Sequence, residues 1–239
     1  MTNKSDCNSP KLCLSGNYWS SIVAFFVRIT LFLIPPNFVQ KESKMAKLHF
    51  YYSAMNAGKS TTLLQSSYNY NERGMGTLMF TPSFDGRYKV GAITSRIGLN
   101  SEAVPFNDQF NFFDYVTKAV GDTSNIRCIL IDEAQFLKKQ QVEQLSKITV
   151  ELNRPVLAYG LRADFMGEPF EGSKYLLAWA EELVEIKTIC HCGRKAIMNM
   201  RIDEHGNAVR TGKQIEIGGN DRYVAVCRKH YVSGEGKGK

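Results

Sequence analysis

The fold of this chain is decided by residues 48–64, LHFYYSAMNAGKSTTLL. An apolar and aromatic run comes first, small residues follow it and close on Gly-Lys-Ser-Thr, and two leucines end the stretch. The pattern predicts a strand over Lys47–Tyr52 and a helix over Lys59–Asn71. The first residue of that helix is a lysine, and the turn before it consists mostly of small residues. This combination suggests that the lysine has a specific function.

Ser53–Ser60 indicates that function by matching the phosphate-binding motif G-x-x-x-x-G-K-[ST]. Only the first position differs, where Ser53 replaces glycine. Small residues let the backbone N–H groups turn inward around phosphates, at the positive N-terminal end of the helix. We expect Lys59 to reach the β- and γ-phosphates and Ser60 to ligate Mg²⁺. The alternative, a turn that contains Gly-Lys-Ser by chance, is disfavoured because the motif has the strand-to-helix context that it requires.

A second strand ends in the acidic residues that a phosphate loop requires. Ile126–Ile131, IRCILI, is a near-continuous apolar run, and Asp132 and Glu133 follow it directly. We expect Asp132 to lie at the sheet edge near the loop, where it can hold Mg²⁺ through water. Glu133 can act as a general base towards a hydroxyl group or a water molecule. Two solvated carboxylates at a turn are the alternative. Together the motifs indicate nucleoside-triphosphate chemistry, which kinases, ATPases, helicases and recombinases share.

Buried strands alternate with helices through most of the chain. This alternation predicts an α/β fold with a parallel sheet that helices cover on both faces. We assign residues 45–185 to this nucleotide-binding domain. Its predicted strands are Lys47–Tyr52, Thr77–Thr81, Ile126–Ile131 and Pro155–Leu161, and its predicted helices are Lys59–Asn71, Asp108–Ala119 and Lys138–Leu152.

The pattern changes towards the C-terminus. Residues 186–232 contain short alternating segments separated by Gly-rich turns, which predicts a small β-rich domain. A region of this size cannot fold on hydrophobic burial alone. It therefore needs a metal ion or another cross-link to hold it together.

Cysteine and histidine residues provide a candidate for that cross-link. Cys190-x-Cys192 and Cys227-x-x-His230 are two ligand pairs with 34 residues between them, as in a small zinc ribbon. Four protein ligands would make the Zn²⁺ structural instead of catalytic. His191 could replace one of its neighbours as a ligand, because the first pair is tighter than the usual spacing. Unrelated free cysteines are the other alternative.

Length, charge and cysteine content limit the classes of function that this chain can have. The chain has 239 residues, of which 44% are hydrophobic, so it can bury one sizeable core and a small second one. The formal net charge of +7 is a mild excess, and no basic stripe with interleaved aromatic residues marks a nucleic-acid groove. Six cysteines in a chain of this length suit reduced metal ligands better than a secreted disulfide framework. We therefore expect a cytoplasmic protein.

Residues 1–44 are interpreted as an N-terminal extension. Ile22–Ile34 is apolar at all but two positions, but it is too short to span a bilayer comfortably and lacks a following cleavage site of small residues. We expect Met45 to be the working first residue and the extension to be a mis-assigned start, largely disordered. A peripheral membrane anchor is the alternative. The Gly/Lys-rich segment 233–239 is expected to be a flexible tail.

Five motifs occur in an order that resembles the zinc-containing thymidine kinases of bacteria and animal cytosol. They are FYYSAMNAGKST, IDEAQF, YGLRADF, CHCGRK and IGGNDRYVAVCRKH, and the resemblance covers Met45–Tyr231. It implies a RecA-like P-loop sheet with a zinc-bound lasso domain, assembled as a homotetramer. It also implies phosphate transfer from ATP to the thymidine 5′-hydroxyl, with ATP, Mg²⁺ and a structural Zn²⁺ as cofactors. Feedback by dTTP is implied as well, and neither nucleic acid nor a membrane is an expected partner.

The resemblance assigns roles residue by residue. Glu133 would be the catalytic base that takes the proton of the thymidine 5′-hydroxyl. Arg87 matches a position suited to placing positive charge near the phosphates, and an exposed loop arginine is an equal alternative. The residues expected to bind ATP are Ser53, Ala54, Met55, Asn56, Ala57, Gly58, Lys59, Ser60, Arg87, Asp132, Glu133, Ala134 and Gln135.

The resemblance also implies a flat, apolar pocket for the pyrimidine ring and its methyl group. Tyr223 and the Gly218-Gly219 turn resemble the lasso that folds over the base, where backbone groups would read the pyrimidine edge and exclude water. For any single aromatic residue, core packing is the alternative. The positions expected to contact the nucleoside are Met55, Phe136, Leu161, Phe165, Phe170, Ile215, Ile217, Gly218, Gly219 and Tyr223.

Two other function classes use the same nucleotide motifs. A zinc-ribbon P-loop ATPase acting on nucleic acid would need a basic groove, which the modest charge disfavours. A non-enzymatic nucleotide-binding switch would leave Glu133 and the aromatic positions without a role. The resemblance to thymidine kinases is therefore preferred over both.

Overall fold

A computed structural model describes residues 45–84, 91–123, 125–214 and 222–236. These residues belong to one compact unit, Met45–Lys239. The predicted extension, residues 1–44, lies outside the described residues. None of the helices in the described ranges has the length and apolar character needed to cross a bilayer.

A sheet of six parallel strands forms the centre of the unit. The strand order is β5-β2-β6-β7-β1-β8, and every neighbouring pair is parallel. A separate antiparallel pair, β3 (Ala92–Thr94) and β4 (Asn100–Glu102), leads into β5. The strands of the main sheet are β1 (Leu48–Ser53), β2 (Gly76–Pro82), β5 (Val104–Phe106), β6 (Ile126–Ile131), β7 (Val156–Leu161) and β8 (Glu182–Glu185).

Helices cover both faces of this sheet, as the sequence predicts. Side chains alternate along β6, so Ile129 and Ile131 join the core on the face that also buries apolar residues of α2, α3 and α4. Cys128 and Leu130 point to the opposite face, where they share a core with leucines of α1. The helices are α1 (Lys59–Asn71), α2 (Phe112–Asp122), α3 (Lys139–Glu151) and α4 (Glu171–Trp179), with a short 3₁₀ turn at Ala134–Phe136.

Helix α2 begins four residues later than the predicted Asp108–Ala119. The Asn111 side chain accepts a hydrogen bond from the backbone N–H of Asp114 at 3.1 Å, which makes Asn111 the N-cap. Before it, the Gln141 side chain donates to the carbonyls of Asn107 and Phe110. These bonds hold the preceding segment in a non-helical conformation.

The C-terminal part of the described chain is β-rich, as predicted. A three-stranded antiparallel sheet has the order β12-β11-β13, and a two-stranded pair, β9 and β10, lies before it in the chain. The buried side chains of its apolar core, within the described ranges, are Cys190, Ala196, Met200, Ile202, Val226 and Cys227. Its elements are β9 (Thr188–Ile189), β10 (Lys195–Ala196), β11 (Met198–Ile202), β12 (Ala208–Val209), β13 (Tyr223–Val226) and α5 (Arg228–Ser233).

Candidate active site and metal centre

The phosphate loop joins the end of β1 to the start of α1. Gly58 has φ +84°, a left-handed conformation at the N-cap of α1 that glycine adopts without steric cost. Ser53 is not among the described non-glycine residues with positive φ, which are Asn56, Glu133 and Asn153. Serine therefore fits the first motif position without backbone strain.

Lys59 lies inside the loop that precedes it. Its side chain is largely buried, with only 8% of the residue exposed. The Nζ atom donates to Ser53 Oγ at 3.1 Å and to the Ala54 carbonyl at 3.2 Å. The ammonium group is thus held across the start of the loop, where a phosphate group would supply the negative charge that the buried cation favours.

Asp132 contacts the loop from the end of β6. Its Oδ2 accepts a hydrogen bond from Ser60 Oγ at 3.0 Å, and its Oδ1 accepts one from the Glu133 backbone N–H at 3.0 Å. Burial and the neighbouring Glu133 carboxylate raise the pKa of Asp132 to about 7, against the opposing effects of its hydrogen bonds and of Lys59. The two predicted Mg²⁺ positions, Ser60 and Asp132, therefore lie together, and their oxygen atoms suit a hard divalent cation.

The raised pKa of Asp132 predicts that its carboxylate destabilises the ligand-free fold. Between an ordinary Asp pKa of 3.8 and about 7, the unfolded chain releases this proton more readily than the folded chain, so stability is lost as the pH rises through that window. We expect Asp132→Asn to raise the free energy of unfolding by about 2 kcal/mol at pH 8 and by less at pH 5. Thermal unfolding without nucleotide or divalent cation measures the difference, and equal stability of both proteins at pH 8 would contradict it.

Glu133 is held by a bond from the 3₁₀ turn that follows it. The Gln135 Nε2 atom donates to Glu133 Oε2 at 2.6 Å, and Gln135 Oε1 accepts from the Leu161 backbone N–H at 3.0 Å. Gln135 is only 1% exposed. Its amide therefore connects the Glu133 carboxylate to the end of β7.

The turn after Glu133 packs against the start of α4 without space for an added atom. A Cβ at Gly172 would lie 2.5 Å from the carbonyl oxygen of Ala134 and 2.9 Å from that of Leu137. Both neighbours are backbone atoms, so no side-chain rotation can relieve the clash. Glycine at this position therefore allows α4 to support the turn.

We expect Gly172→Ala to lower the free energy of unfolding by about 3 kcal/mol, because α4 must move away from the turn. Gly121→Ala is the matched control, since Gly121 also lies in a helix but has no neighbour within 4 Å of the added Cβ. That control should be neutral or slightly stabilising. Urea unfolding of both variants checks the prediction, and equal stability would show that the contact at Gly172 is easily relieved.

The predicted aromatic positions form two groups of ring contacts. Phe136 makes edge contacts with Phe84 at 5.0 Å and with Phe170 at 5.8 Å between centroids. Phe165 contacts Tyr223 at 6.2 Å, and the guanidinium of Arg201 lies over both of these rings. Leu161 is largely buried at the end of β7. The predicted positions Arg87, Ile215, Ile217, Gly218 and Gly219 lie outside the described residues.

The four predicted metal ligands lie in one cluster. One ligand atom each of Cys190, Cys192, Cys227 and His230 lies within 4.8 Å of all the others. Cys190 Sγ is 3.2 Å from His230 Nδ1, and Cys192 Sγ is 3.8 Å from Cys227 Sγ. The sequence prediction that two distant pairs share one site is consistent with this geometry.

The surroundings of the cluster shift the pKa values of two of its thiols in opposite directions. The backbone N–H of His230 lowers the pKa of the Cys227 thiol, which favours the thiolate form that metals bind. The pKa of the Cys192 thiol is raised, because burial and the neighbouring sulfur atoms outweigh the backbone N–H of Arg194. His230 Nε2, on the other side of the ring, lies 3.6 Å from Glu235 Oε2, the placement of a carboxylate that orients a metal-binding imidazole. His191 stacks on His230 with ring centroids 4.2 Å apart and is not part of the four-residue cluster.

Comparison with known proteins identifies the family of this chain. The family model described as "Thymidine kinase" matches residues 46–231. The chain belongs to the thymidine kinase family. This finding favours the nucleoside-kinase prediction over that of a nucleic-acid-dependent ATPase.

Curated members of the thymidine kinase family are similar over nearly their full length. A thymidine kinase of Coxiella burnetii is 64% identical over 191 residues, 80% of this chain and 97% of the relative. A thymidine kinase of Legionella pneumophila is 63% identical over 80% of this chain and 91% of the relative. One of Vibrio vulnificus is 60% identical over 81% of this chain and all of the relative. Among solved structures, the Legionella pneumophila ATPase DotB matches 70% of this chain and 48% of its own at 14% identity, with a TM-score of 0.36.

Some contacts of this thymidine kinase site are not predicted by any sequence motif. Asn199 Oδ1 accepts a hydrogen bond from the Met55 backbone N–H in the phosphate loop at 2.8 Å. The Gln214 side chain, just before the segment that resembles the lasso, donates to Asp164 Oδ2 at 3.0 Å. Single amide residues outside any motif do not reveal such partners. Only the packing of distant segments brings them together.

Proposed function

We propose that this protein transfers the γ-phosphate of ATP to the 5′-hydroxyl of thymidine and so forms thymidine monophosphate. The observation that carries the proposal is the contact between the phosphate loop and the acidic end of β6, where Ser60 Oγ lies 3.0 Å from Asp132 Oδ2. Glu133 follows Asp132 directly in the chain and is the candidate base. Membership of the thymidine kinase family supports thymidine as the acceptor.

The phosphate loop is proposed to bind the ATP phosphates. Lys59, which donates to Ser53 Oγ, would exchange that contact for the β- and γ-phosphates. Ser60 and Asp132 would hold Mg²⁺, which neutralises charge that develops on the transferring phosphate. The remaining residues proposed to line the ATP site are Ala54, Met55, Asn56, Ala57, Gly58, Arg87, Ala134 and Gln135.

Glu133 is proposed to be the general base. Its carboxylate takes the proton of the thymidine 5′-hydroxyl as that oxygen forms a bond to the γ-phosphorus and the bond to the ADP oxygen breaks. The Gln135 amide donates to Glu133 Oε2 at 2.6 Å and fixes the direction of the carboxylate. Gln135 is therefore a positioning residue for the base.

The nucleoside is proposed to bind among the aromatic contacts near the end of β7. The rings of Phe136 and Phe170, together with Phe165 and Tyr223, are apolar surfaces that suit a flat pyrimidine. The segment that resembles the lasso would cover the base. The proposed contacts are Met55, Phe136, Leu161, Phe165, Phe170, Ile215, Ile217, Gly218, Gly219 and Tyr223.

A structural Zn²⁺ is proposed at Cys190, Cys192, Cys227 and His230. A tetrahedral ion with Zn–S bonds of about 2.3 Å places two sulfur ligands about 3.8 Å apart. The distance between Cys192 Sγ and Cys227 Sγ is 3.8 Å, so the donor set fits. Assembly as a homotetramer, feedback by dTTP and a cytoplasmic location belong to the same proposal and rest on the family.

The direct test incubates the full chain with Mg²⁺, ATP and thymidine. We expect thymidine monophosphate and ADP to form in equal amounts, with no product when thymidine is omitted. The alternative function predicts a different outcome, which is ATP hydrolysis that single-stranded DNA stimulates and thymidine does not. That result would overturn the proposal.

A further inference from the structure

Asn199 joins three separate segments of the fold. It is the second residue of β11, the central strand of the β12-β11-β13 sheet, and is 4% exposed. Its Oδ1 accepts a hydrogen bond from the Met55 backbone N–H at 2.8 Å. Its Nδ2 donates to the Ala163 carbonyl at 2.8 Å. The amide thus connects the C-terminal β-rich region to the phosphate loop and to the segment after β7.

The chemistry of these two bonds selects for an amide. One bond needs an acceptor and the other needs a donor, and a buried site makes an unsatisfied group costly. A carboxylate would supply acceptors only, and an aliphatic side chain would supply neither. The next residue, Met200, belongs to the apolar core of the β-rich region, so alternation along β11 sends Asn199 to the opposite face.

The bond to Met55 fixes the third residue of the phosphate loop. Loops of this kind bind phosphate through the directions of their backbone N–H groups. Those directions change when the φ and ψ angles of a loop residue change. A side chain that holds one peptide group from outside therefore lowers the cost of ordering the loop around a nucleotide.

We propose that Asn199 is a positioning residue that holds the phosphate loop in its nucleotide-binding conformation. Through this residue the β-rich region supports ATP binding in addition to its proposed contact with the nucleoside. The inference rests on the proposed use of ATP by the same loop. The ligand chemistry involved is that of a nucleoside triphosphate with its divalent cation.

The test measures the binding of Mg²⁺-ATP by calorimetry and the KM values for ATP and thymidine. We expect Asn199→Ala to raise the Kd and the KM for ATP about tenfold, because one buried hydrogen bond no longer orders the loop. The KM for thymidine should rise less than the KM for ATP, although Met55 is also a proposed nucleoside contact. A residue that merely stabilises the fold would not separate the two substrates in this way.

Met200→Ala is the matched control on the same strand. Met200 is buried in the core of the β-rich region and is 1% exposed, so the substitution destabilises that region without removing the bond to the loop. We expect a lower unfolding temperature and an unchanged Kd for ATP, measured at a temperature at which circular dichroism shows both variants to be folded. Equal weakening of ATP binding in the two variants would overturn the proposal.

The outcomes separate this proposal from the proposed function. If the wild-type protein neither binds ATP nor phosphorylates thymidine, the proposed function fails. If the wild-type protein does both and Asn199→Ala binds ATP equally well, only the positioning role of Asn199 fails.

Discussion

Glu133→Gln is expected to lower turnover about 10³-fold while ATP affinity stays near the wild-type value. The substitution removes the atom that accepts the proton, and the contribution of a positioned base is about 10²- to 10⁴-fold. The amide has nearly the same shape as the carboxylate, and an oxygen at this position can still accept the bond from Gln135 Nε2. The hydrogen bonds from Lys59 to Ser53 and from Ser60 to Asp132 do not involve the Glu133 side chain. Steady-state kinetics and calorimetry with Mg²⁺-ATP measure the two quantities.

A companion variant distinguishes the presence of the base from its orientation. Gln135→Ala leaves the base in place and removes the donor to its carboxylate. We expect kcat to fall less in this variant than in Glu133→Gln, with the Kd for Mg²⁺-ATP near the wild-type value in both. Turnover of Glu133→Gln at the wild-type rate would reject Glu133 as the base.

Removal of the metal is expected to unfold residues 186–232 and to abolish thymidine phosphorylation. Among the residues of this region that the structure describes, six buried side chains form the apolar core, and two of them, Cys190 and Cys227, are proposed metal ligands. Little hydrophobic stabilisation is left when those thiolates lose the ion, so the binding energy of the metal is folding energy here. Hydrogen exchange should show loss of protection in β11 and β13 while β6 and β7 stay protected.

Cys227→Ser tests the same expectation without a chelator. Elemental analysis should find one zinc ion per wild-type chain and almost none in this variant. Cys128→Ala is the matched control, because Cys128 is buried in the main core and does not belong to the four-residue cluster. That control should retain its zinc and the exchange protection of β11. Full protection of β11 in metal-free protein would show that the region folds without the ion.

The sequence predicts the parts of the fold that depend on local patterns. Near-continuous apolar runs such as Ile126–Ile131 mark strands buried on both faces, and α1 begins and ends at the predicted residues, Lys59 and Asn71. The strand β5 was not predicted, because three residues that include Pro105 give no periodic signal. Its position at the edge of the sheet explains why a proline is tolerated there.

The residues of the candidate site also fall into two groups, those that the sequence predicts and those that it does not. Lys59, Ser60 and Asp132 belong to motifs whose spacing reflects their chemistry, so the sequence places them together before the structure does. The roles of Gln135 and Asn199 depend on hydrogen bonds to Leu161 and Met55. Asn199 and Met55 are separated by 144 positions in the chain. No local pattern records such a partner, because the register of the packed elements creates the contact.

The position of β1 in the sheet has a consequence for synthesis on the ribosome. Its partners are β7 and β8, which are the last strands of the sheet to be made. A nascent chain that ends before residue 156 therefore exposes an aromatic strand that has no neighbour to pair with. The growing polypeptide must stay soluble while the edges of β1 are unpaired. The sheet can be completed only after β7 and β8 have been synthesised, late in translation.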